Sequence, residues 1–497
     1  MKGKLALLAA AALIGASGAG FAQAPAGAAD QASSRQPWSI TTPWQGSGGS
    51  GWGLNIDGNA FDGAGVQPTG GVSLVSTDNL NLDMFGRLQM LGVGENVADP
   101  VRNNNRLYLF TQESRLGFRG NFEGYKYETQ LSLGGEEVVT SNVALTLLDM
   151  DFDVPVPVGP DTSVKVGQFR VPYGREAMTD TGYMPFTDRS ILSTGFSMGR
   201  DYGLALQGYD GKFAGTAGIF SGGGEDVPQR YLGEALGIPV LAVRVGYNNG
   251  VDADIYHVVQ TDLNITKPEK AAYVSGVFAK DTTIGHSTAL NLKDTGKNLL
   301  IDSNWNPYIA NGSPIPNNTM GDGDLYMVEG DAVYRVPLGN GKAWTAQAEV
   351  DWGGYQNQYG RVHEAGAEAQ VGYLFKPFEV DMRYAVLLPD ENMGYFATYN
   401  AGTKTTTQTL PGQGGSANNF IGGRAIHEID PSATWYLKGQ NVKLVLDAPI
   451  YLNMPVTVDS SVGSYVLADM PDQITTYSGG MKRETVAEIR GMLQFMF

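Results

Sequence analysis

The sequence predicts an all-β fold, a transmembrane antiparallel β-barrel of sixteen strands, with eighteen as the other admissible number. Three observations predict it. Segments of about ten residues alternate apolar and polar side chains with a period of two, which gives each one greasy and one wet face. Aromatic residues gather near the ends of these segments, where a membrane meets water. No stretch approaches about 18 uninterrupted apolar residues, so no helix is expected to cross a membrane.

The last segment shows the pattern most clearly. Ala487, Ile489, Gly491, Leu493, Phe495 and Phe497 share one parity, and Glu488, Arg490, Met492, Gln494 and Met496 the other. An ordinary half-buried strand would alternate too, and so would a soluble sandwich. A sandwich rarely sustains strands this long with rings gathered at their ends.

The chain opens with Met1-Lys2-Gly3-Lys4, an apolar run from Leu5 to Ile14 and small residues up to Ala22. This reads as a secretory leader over 1–22, with cleavage expected after Ala22. Losing Lys2 and Lys4 would take the formal charge from −17 to −19. So acidic a chain is a poor partner for nucleic acid. The absence of Cys excludes disulfides and a lipidated cysteine anchor. Residues 23–80 form a Gly/Ser-rich N-terminal extension with Trp38, Trp44 and Trp52 dispersed through it. It is read as flexible, and as lying on the periplasmic side.

The barrel is expected over 81–497. Tyr108, Phe110, Leu116, Phe118 and Phe122 precede the turn Glu123-Gly124, and Tyr125, Tyr127, Thr129, Leu131 and Leu133 follow it, as in a hairpin. Residues 142–154 read as a strand with Asp149, Asp151 and Asp153 on one parity. Three carboxylates on one face suit a hard cation, but a polar lumen face is the preferred reading, and no metal site is assigned. Ser163 to Phe169 is strand, with a bulge expected near Gln168 and Arg170 because these share the parity of Val164 and Val166.

From Arg170 to about Gly199 the alternation stops. Irregular stretches this long inside a regular fold are usually functional. Arg175, Glu176, Asp188 and Arg189 are its candidate constriction residues, with a helical turn expected near 188–192. Hairpin strands are expected at 201–209 and 213–221, and further strands at 240–247, 253–260 and 271–280. Residues 281–323 and 387–422 read as long polar external loops. Between them Trp344, Ala346, Ala348, Val350 and Trp352 oppose Thr345, Gln347, Glu349 and Asp351, and two further strands alternate in the same way up to Tyr384.

Val164-Lys-Val-Gly-Gln-Phe-Arg-Val-Pro-Tyr-Gly-Arg-Glu176, Asp188-Arg-Ser190, Gly199-Arg-Asp-Tyr-Gly203, Gly372-Tyr-Leu374, Arg383-Tyr384, Trp435-Tyr-Leu437 and Leu493-Gln-Phe495 together resemble the phosphate-selective porin O and P family. A closing strand that ends on Phe is also similar to the assembly signal of outer-membrane barrels. The resemblance implies a sixteen-stranded barrel in the outer membrane of a Gram-negative bacterium. It also implies a homotrimer in contact with outer-membrane lipid that passes small solutes or anions passively.

Selective family members carry a ladder of Arg and Lys. Here the lumen-parity cations Arg87, Arg115, Arg119, Lys126, Arg244, Arg383, Lys443 and Arg490 are interleaved with Glu113, Glu128, Glu349, Glu368, Glu379, Asp381, Asp447 and Glu488. An anion or phosphate preference therefore stays open. Arg suits an anion path because it keeps its charge and offers several donors. Arg115 and Arg119, four apart on one face, would lie about 13 Å apart along a strand. Cross-strand pairing of these charges to stiffen the wall is the competing account. No nucleophile–base pattern surrounds the four His, so no enzyme, catalytic residue or cofactor is expected. A receptor, adhesin or structural barrel without an open pore remains the alternative.

Overall fold

The computed structural model describes residues 55–56, 71–77, 79–97, 104–135, 145–159, 161–221, 238–252, 255–256, 258–282, 323–357, 360–389, 396–400, 405–409, 425–459, 464–467 and 481–497. The leader, the Trp38–Trp52 stretch and the connection 283–322 lie outside the described residues. Two short strands come first, β1 (Asn55–Ile56) and β2 (Val72–Ser76). The wall begins with β3 (Leu80–Val97), β4 (Asn104–Phe122), β5 (Tyr125–Gly135), β6 (Thr146–Pro155), β7 (Ser163–Arg170), β8 (Arg200–Tyr209) and β9 (Phe213–Phe220). It continues through β10 (Ile238–Asn248), β11 (Glu269–Thr282), β12 (Gly323–Gly339), β13 (Lys342–Asn357), β14 (Gly360–Phe375) and β15 (Phe378–Pro389). After a separate hairpin of β16 (Phe396–Asn400) and β17 (Thr405–Thr409) come β18 (Ile426–Gln440), β19 (Val442–Asp447), β20 (Ile450–Asp459), β21 (Ser464–Leu467) and β22 (Met481–Met496).

Each wall strand pairs antiparallel with the next, and β22 closes on β3 from Val486↔Val97 to Met496↔Arg87. β19 and β20 form one wall strand, since both pair with β18 on one side and with β22 on the other. The break between them is spanned by Ala448 N donating to Pro431 O (3.0 Å) and Glu488 N donating to Pro449 O (3.0 Å). Among the described residues the result is a closed sixteen-stranded barrel, with β1, β2 and β21 paired to it outside the wall. Closure pairs the edges that an open sheet would leave bare. β2 lies beside the start of β3, with Val72↔Met84, and continues the line of β22 past Phe497.

Alternation sorts the side chains as the lipid-and-water pattern requires. On β13, Trp344, Val350 and Trp352 are exposed while Gln347, Glu349 and Asp351 are buried. On β22, Ile489 and Phe495 face out, and Arg490, Met492 and Gln494 face in. A ring row runs around the tight-turn end: Trp344–Tyr373 (4.7 Å), Tyr373–Phe375 (5.7 Å), Phe375–Phe378 (5.8 Å) and Phe378–Trp435 (5.8 Å). Tyr326, Trp352 and His363 form a second group toward the other end. Trp344 and Trp352 are separated by about 26 Å of strand, which matches two aromatic belts on either side of an apolar band.

Two expectations are corrected. Residues 253–260 do not form a wall strand. The chain between β10 and β11 turns into the barrel instead, and among its described residues only Val258 makes a β-bridge, to Thr179. Its apolar residues imitate a strand because they are buried in the lumen. The bulge expected near Gln168 is likewise absent from β7, whose register against β6 and β8 is unbroken. The extra residue sits in β6, where the register against β5 shifts between Gln130 and Leu131. The Gln168 side-chain amide donates to the carbonyls of Leu147 (2.6 Å) and Leu148 (2.8 Å) that flank the irregularity.

Candidate functional site

Two chain segments fold into the lumen from opposite ends. Residues 171–199, between β7 and β8, enter from the end that carries the long connections. The described residues of 249–268, between β10 and β11, enter from the tight-turn end. An irregular backbone inside a barrel must find partners for its N–H and C=O groups, and the inward side chains of the wall supply them.

Along the first segment, Thr181 Oγ1 donates to Glu113 (2.8 Å) and Lys443 Nζ donates to Gly182 O (2.8 Å) and Met184 O (2.7 Å). Thr434 donates to Pro185 O (3.2 Å), and Thr187 N donates to Asp447 (2.7 Å). The helix Ile191–Phe196 starts at Ser190, whose Oγ accepts from Ser193 N (3.1 Å) as an N-cap. Ile191 N donates to Glu428 (2.7 Å). The helix approaches the wall so closely that a Cβ on Gly366 would lie 2.3 Å from Leu192 Cδ1.

In the second segment the Asn248 carboxamide oxygen accepts from Gly250 N (3.0 Å) and Val251 N (2.9 Å), which forces the chain to turn. Arg335 donates to the carbonyls of Val251 (3.0 Å), Val259 and Gln260 (3.0 Å). The two segments meet through Thr261 N donating to Tyr183 O (3.2 Å) and through the Arg175–Asp252 pair.

The constriction residues read from the sequence are anchors in this arrangement. Arg175 is fully buried, donates to Asp252 (3.0 and 2.8 Å) and Gln347 (3.1 Å), and lies 3.7 Å from Asp331. Burial opposes its charge, but Asp252 and Asp331 outweigh that and raise its pKa. Glu176 accepts from Arg383 (2.8 Å) and from Ser190 N (2.9 Å) and Oγ (2.6 Å). Asp188 accepts from Arg189 N (2.7 Å), and Arg189 donates to Thr179 O (2.9 Å). Tyr173 donates to Asp351 (2.8 Å), and burial followed by that carboxylate raises its phenol well above the ordinary range.

The lumen-parity cations divide into two groups. Arg244, Arg383, Lys443 and Arg490 are buried in the packed side of the lumen. Arg244 reaches Asp331 (2.6 Å) and Glu329 (3.1 Å), and Arg383 reaches Glu428 (2.7 Å) and Asp430 (2.9 Å). Arg490 donates to Tyr451 (2.9 Å). Arg87 and Arg119 line a cleft of about 90 Å³. Arg115 is buried beside Arg87 and donates to Glu113 (2.9 Å). Lys126 is exposed near the tight turn Glu123-Gly124.

The cleft also carries residues that the sequence reading did not single out. Lys165, Arg170 and Arg200 join Arg87 and Arg119, facing Glu128, Asp149, Asp151 and Asp180, with Phe169, Tyr183 and Tyr256 between them. Asp149 accepts from Arg200 (3.0 Å), and Asp151 and Asp153 hold Lys165, so the acidic row on β6 is partnered by cations. Lys165 Nζ also lies 5.5 Å from the Phe169 and Tyr256 ring centres. The available signal was Lys165 standing on the inward parity of β7 beside that acidic row. Asp180 gave no periodic signal because it lies outside the strands.

A closed barrel with an outward apolar surface, aromatic belts and an in-folded connection beside a charged cleft defines a porin-type protein of the Gram-negative outer membrane. Residues 93–252 match the family model for phosphate-selective porin O and P. No curated protein sequence matches the chain. Among solved structures, the high-pH structure of Pseudomonas putida OprB is similar at 9% identity and a TM-score of 0.48, covering 83% of this chain and 94% of that one. OmpT of Vibrio cholerae is similar at 9% identity and a TM-score of 0.45, covering 85% and 99%. The outer membrane channel DcaP of Acinetobacter baumannii is similar at 9% identity and a TM-score of 0.42, covering 84% and 99%.

Proposed function

We propose that the protein is a diffusion porin whose aqueous path runs through the cleft beside β3 to β8, with a weak preference for anions. The observation that carries this reading is the composition of the cleft. Its charged lining comprises Arg87, Arg119, Lys165, Arg170 and Arg200 against Glu128, Asp149, Asp151 and Asp180. The excess of one cation supports a slight bias and not an exclusive filter, since permeation depends on the few charges at the narrowest point. On this reading Arg115 belongs to the same field, while Arg244, Arg383, Lys443 and Arg490 fix the in-folded segment. A homotrimer, a leader over 1–22 and a periplasmic extension over 23–80 are part of the same proposal.

Single-channel recording in planar bilayers tests the proposal. Steady ohmic conductance, with a reversal potential displaced toward anions under a KCl gradient, is expected. A correctly folded barrel that stays silent would overturn it and favour a receptor, adhesin or structural barrel.

A further inference from the structure

On the outward face of the barrel the apolar surface dips across four neighbouring strands. Ala272↔Ala332, Ala332↔Ala348 and Ala348↔Ala369 are register partners, so β11 to β14 all present alanine at one level. All four are exposed. Taller side chains flank the row, Val274 and Val350 toward the middle of the wall and Tyr334 and Val371 toward the tight-turn end. The dip is a groove of about 710 Å³ floored by Ala272, Ala332, Ala346 and Ala348. Tyr247, Lys270 and Tyr334 form its tight-turn rim, and Lys270 is the one charged residue that lines it among the described residues. Lys270 is held in place. Its N–H donates to Asn249 Oδ1 (2.6 Å), its carbonyl accepts from Asn249 N (3.1 Å), and its ammonium lies 5.5 Å from the Tyr247 ring centre. Tyr247 in turn packs edge-on against Phe213, with ring centres 5.8 Å apart.

We infer that this groove binds one phospholipid of the periplasmic leaflet, with an acyl chain along the alanine row and the phosphate against the Lys270 ammonium. Short turns of such barrels lie on the periplasmic side. Lys270 pairs with Tyr334, which pairs with Ala346, two residues or about 7 Å of strand from the Trp344 level of the aromatic belt. A lysine stem spans that distance and brings its charge to the headgroups. Lipid tails are as apolar as the wall, so the groove gains only by close packing of a chain on its floor and sides. Charge selects the occupant. The rim offers a cation and two phenols and no carboxylate, and Lys212, Lys342, Lys376 and Lys438 stand exposed at other tight turns of a chain whose formal charge is −17. Such an end attracts anionic lipid headgroups. The inference concerns the outer surface and is independent of what the lumen passes.

Native mass spectrometry of the intact protein, extracted from membranes in mild detergent and titrated with phosphatidylglycerol, tests the inference. The wild type should keep one phosphatidylglycerol per barrel after looser lipid has been stripped. Lys270→Glu reverses the rim charge and should weaken that retention by roughly tenfold. Lys438→Glu, at a turn away from the groove, should leave it unchanged. Ala332→Trp fills the floor and should abolish the adduct in a barrel that keeps its heat-modifiable mobility on gels. Equal weakening in the two lysine variants would mean that general surface charge holds the lipid, and the inference fails. It fails too if the wild type keeps no phospholipid, if the retained mass is that of a lipopolysaccharide, or if the adduct survives Ala332→Trp. Dissociation of a native oligomer by Ala332→Trp would make the groove a contact between copies of the chain and would also overturn it.

Discussion

Arg175 and Asp252 are joined by two hydrogen bonds of 3.0 and 2.8 Å, and they come from segments that enter the barrel at opposite ends. Both side chains are fully buried. The pair is therefore a latch between the two halves of the lumen filling, backed by Gln347 on the wall. Asp252→Ala leaves a buried guanidinium without its main counter-ion, and breaking such a pair costs about 3–5 kcal/mol. The expected outcome is a lower unfolding temperature in detergent, and a larger and noisier single-channel conductance as residues 249–268 loosen. An unchanged conductance trace would show that the second segment stays seated without the latch.

The acid limit of the first in-folded segment follows from Asp180. Burial raises its pKa, but Arg87, Arg170 and Arg115 outweigh that and hold it below the ordinary carboxylate range. A carboxyl whose folded pKa is depressed contributes stability that is fully present above its unfolded pKa, about 3.9. That contribution is lost as pH falls toward the folded value. The stability difference between wild type and Asp180→Asn should therefore be constant above about pH 5 and shrink below about pH 4. Urea unfolding of both proteins across that range measures it. A difference that shrinks near pH 6 would mean that Asp180 does not hold its proton off as the arginines require.

The wall was legible because each of its strands carries one lipid face, and lipid imposes a strict period of two. Trp344 to Trp352 and Ala487 to Phe497 needed no partner to be assigned a side. The lumen filling was not legible in the same way. Tyr256, Val258 and Val259 are apolar because the in-folded chain is buried, which alternation cannot distinguish from a strand. Arg175 and Glu176 were recognisable as charges in an irregular stretch, but their partners Asp252 and Arg383 lie far away in sequence. Only the barrel register brings them together. The cleft needed both pieces of information, which is why Arg87 and Arg119 were found while Asp180, Arg170 and Arg200 were missed.

The closing seam makes a third prediction. Phe497 N donates to Gly86 O (3.0 Å), and Gly86 N donates to Phe497 O (3.1 Å). A Cβ on Gly86 would lie 2.8 Å from the Phe497 ring and 3.1 Å from Arg115 O. The ring must turn aside and the Arg115 carbonyl is fixed in the ladder, so Gly86→Val should overpack the seam by about 1–3 kcal/mol. Less of the heat-modifiable folded form should appear on gels. Gly86→Val combined with Phe497→Ala should recover part of the loss, and equal loss in both variants would place the defect elsewhere.

Selectivity tests the lining most directly. Arg119 lines the cleft with its guanidinium 4.9 Å from the Phe85 ring centre, whereas Arg115 is buried and tied to Glu113. Arg119→Ala removes the excess cation of the lining and leaves four cations facing four carboxylates. A unit charge about 8 Å from a passing ion, at an effective dielectric of about 20–40, is worth ~1–2 kcal/mol. The anion-to-cation permeability ratio should then fall by about five- to thirtyfold at low ionic strength, and by less in concentrated salt, where the charge is screened. Arg115→Ala exposes the charge of Glu113 beside Arg87, so the double variant should shift further toward cations than Arg119→Ala alone. Reversal potentials under a KCl gradient, at two mean concentrations, measure both effects. A ratio unmoved by Arg119→Ala would mean that ions cross the barrel by a route away from this cleft.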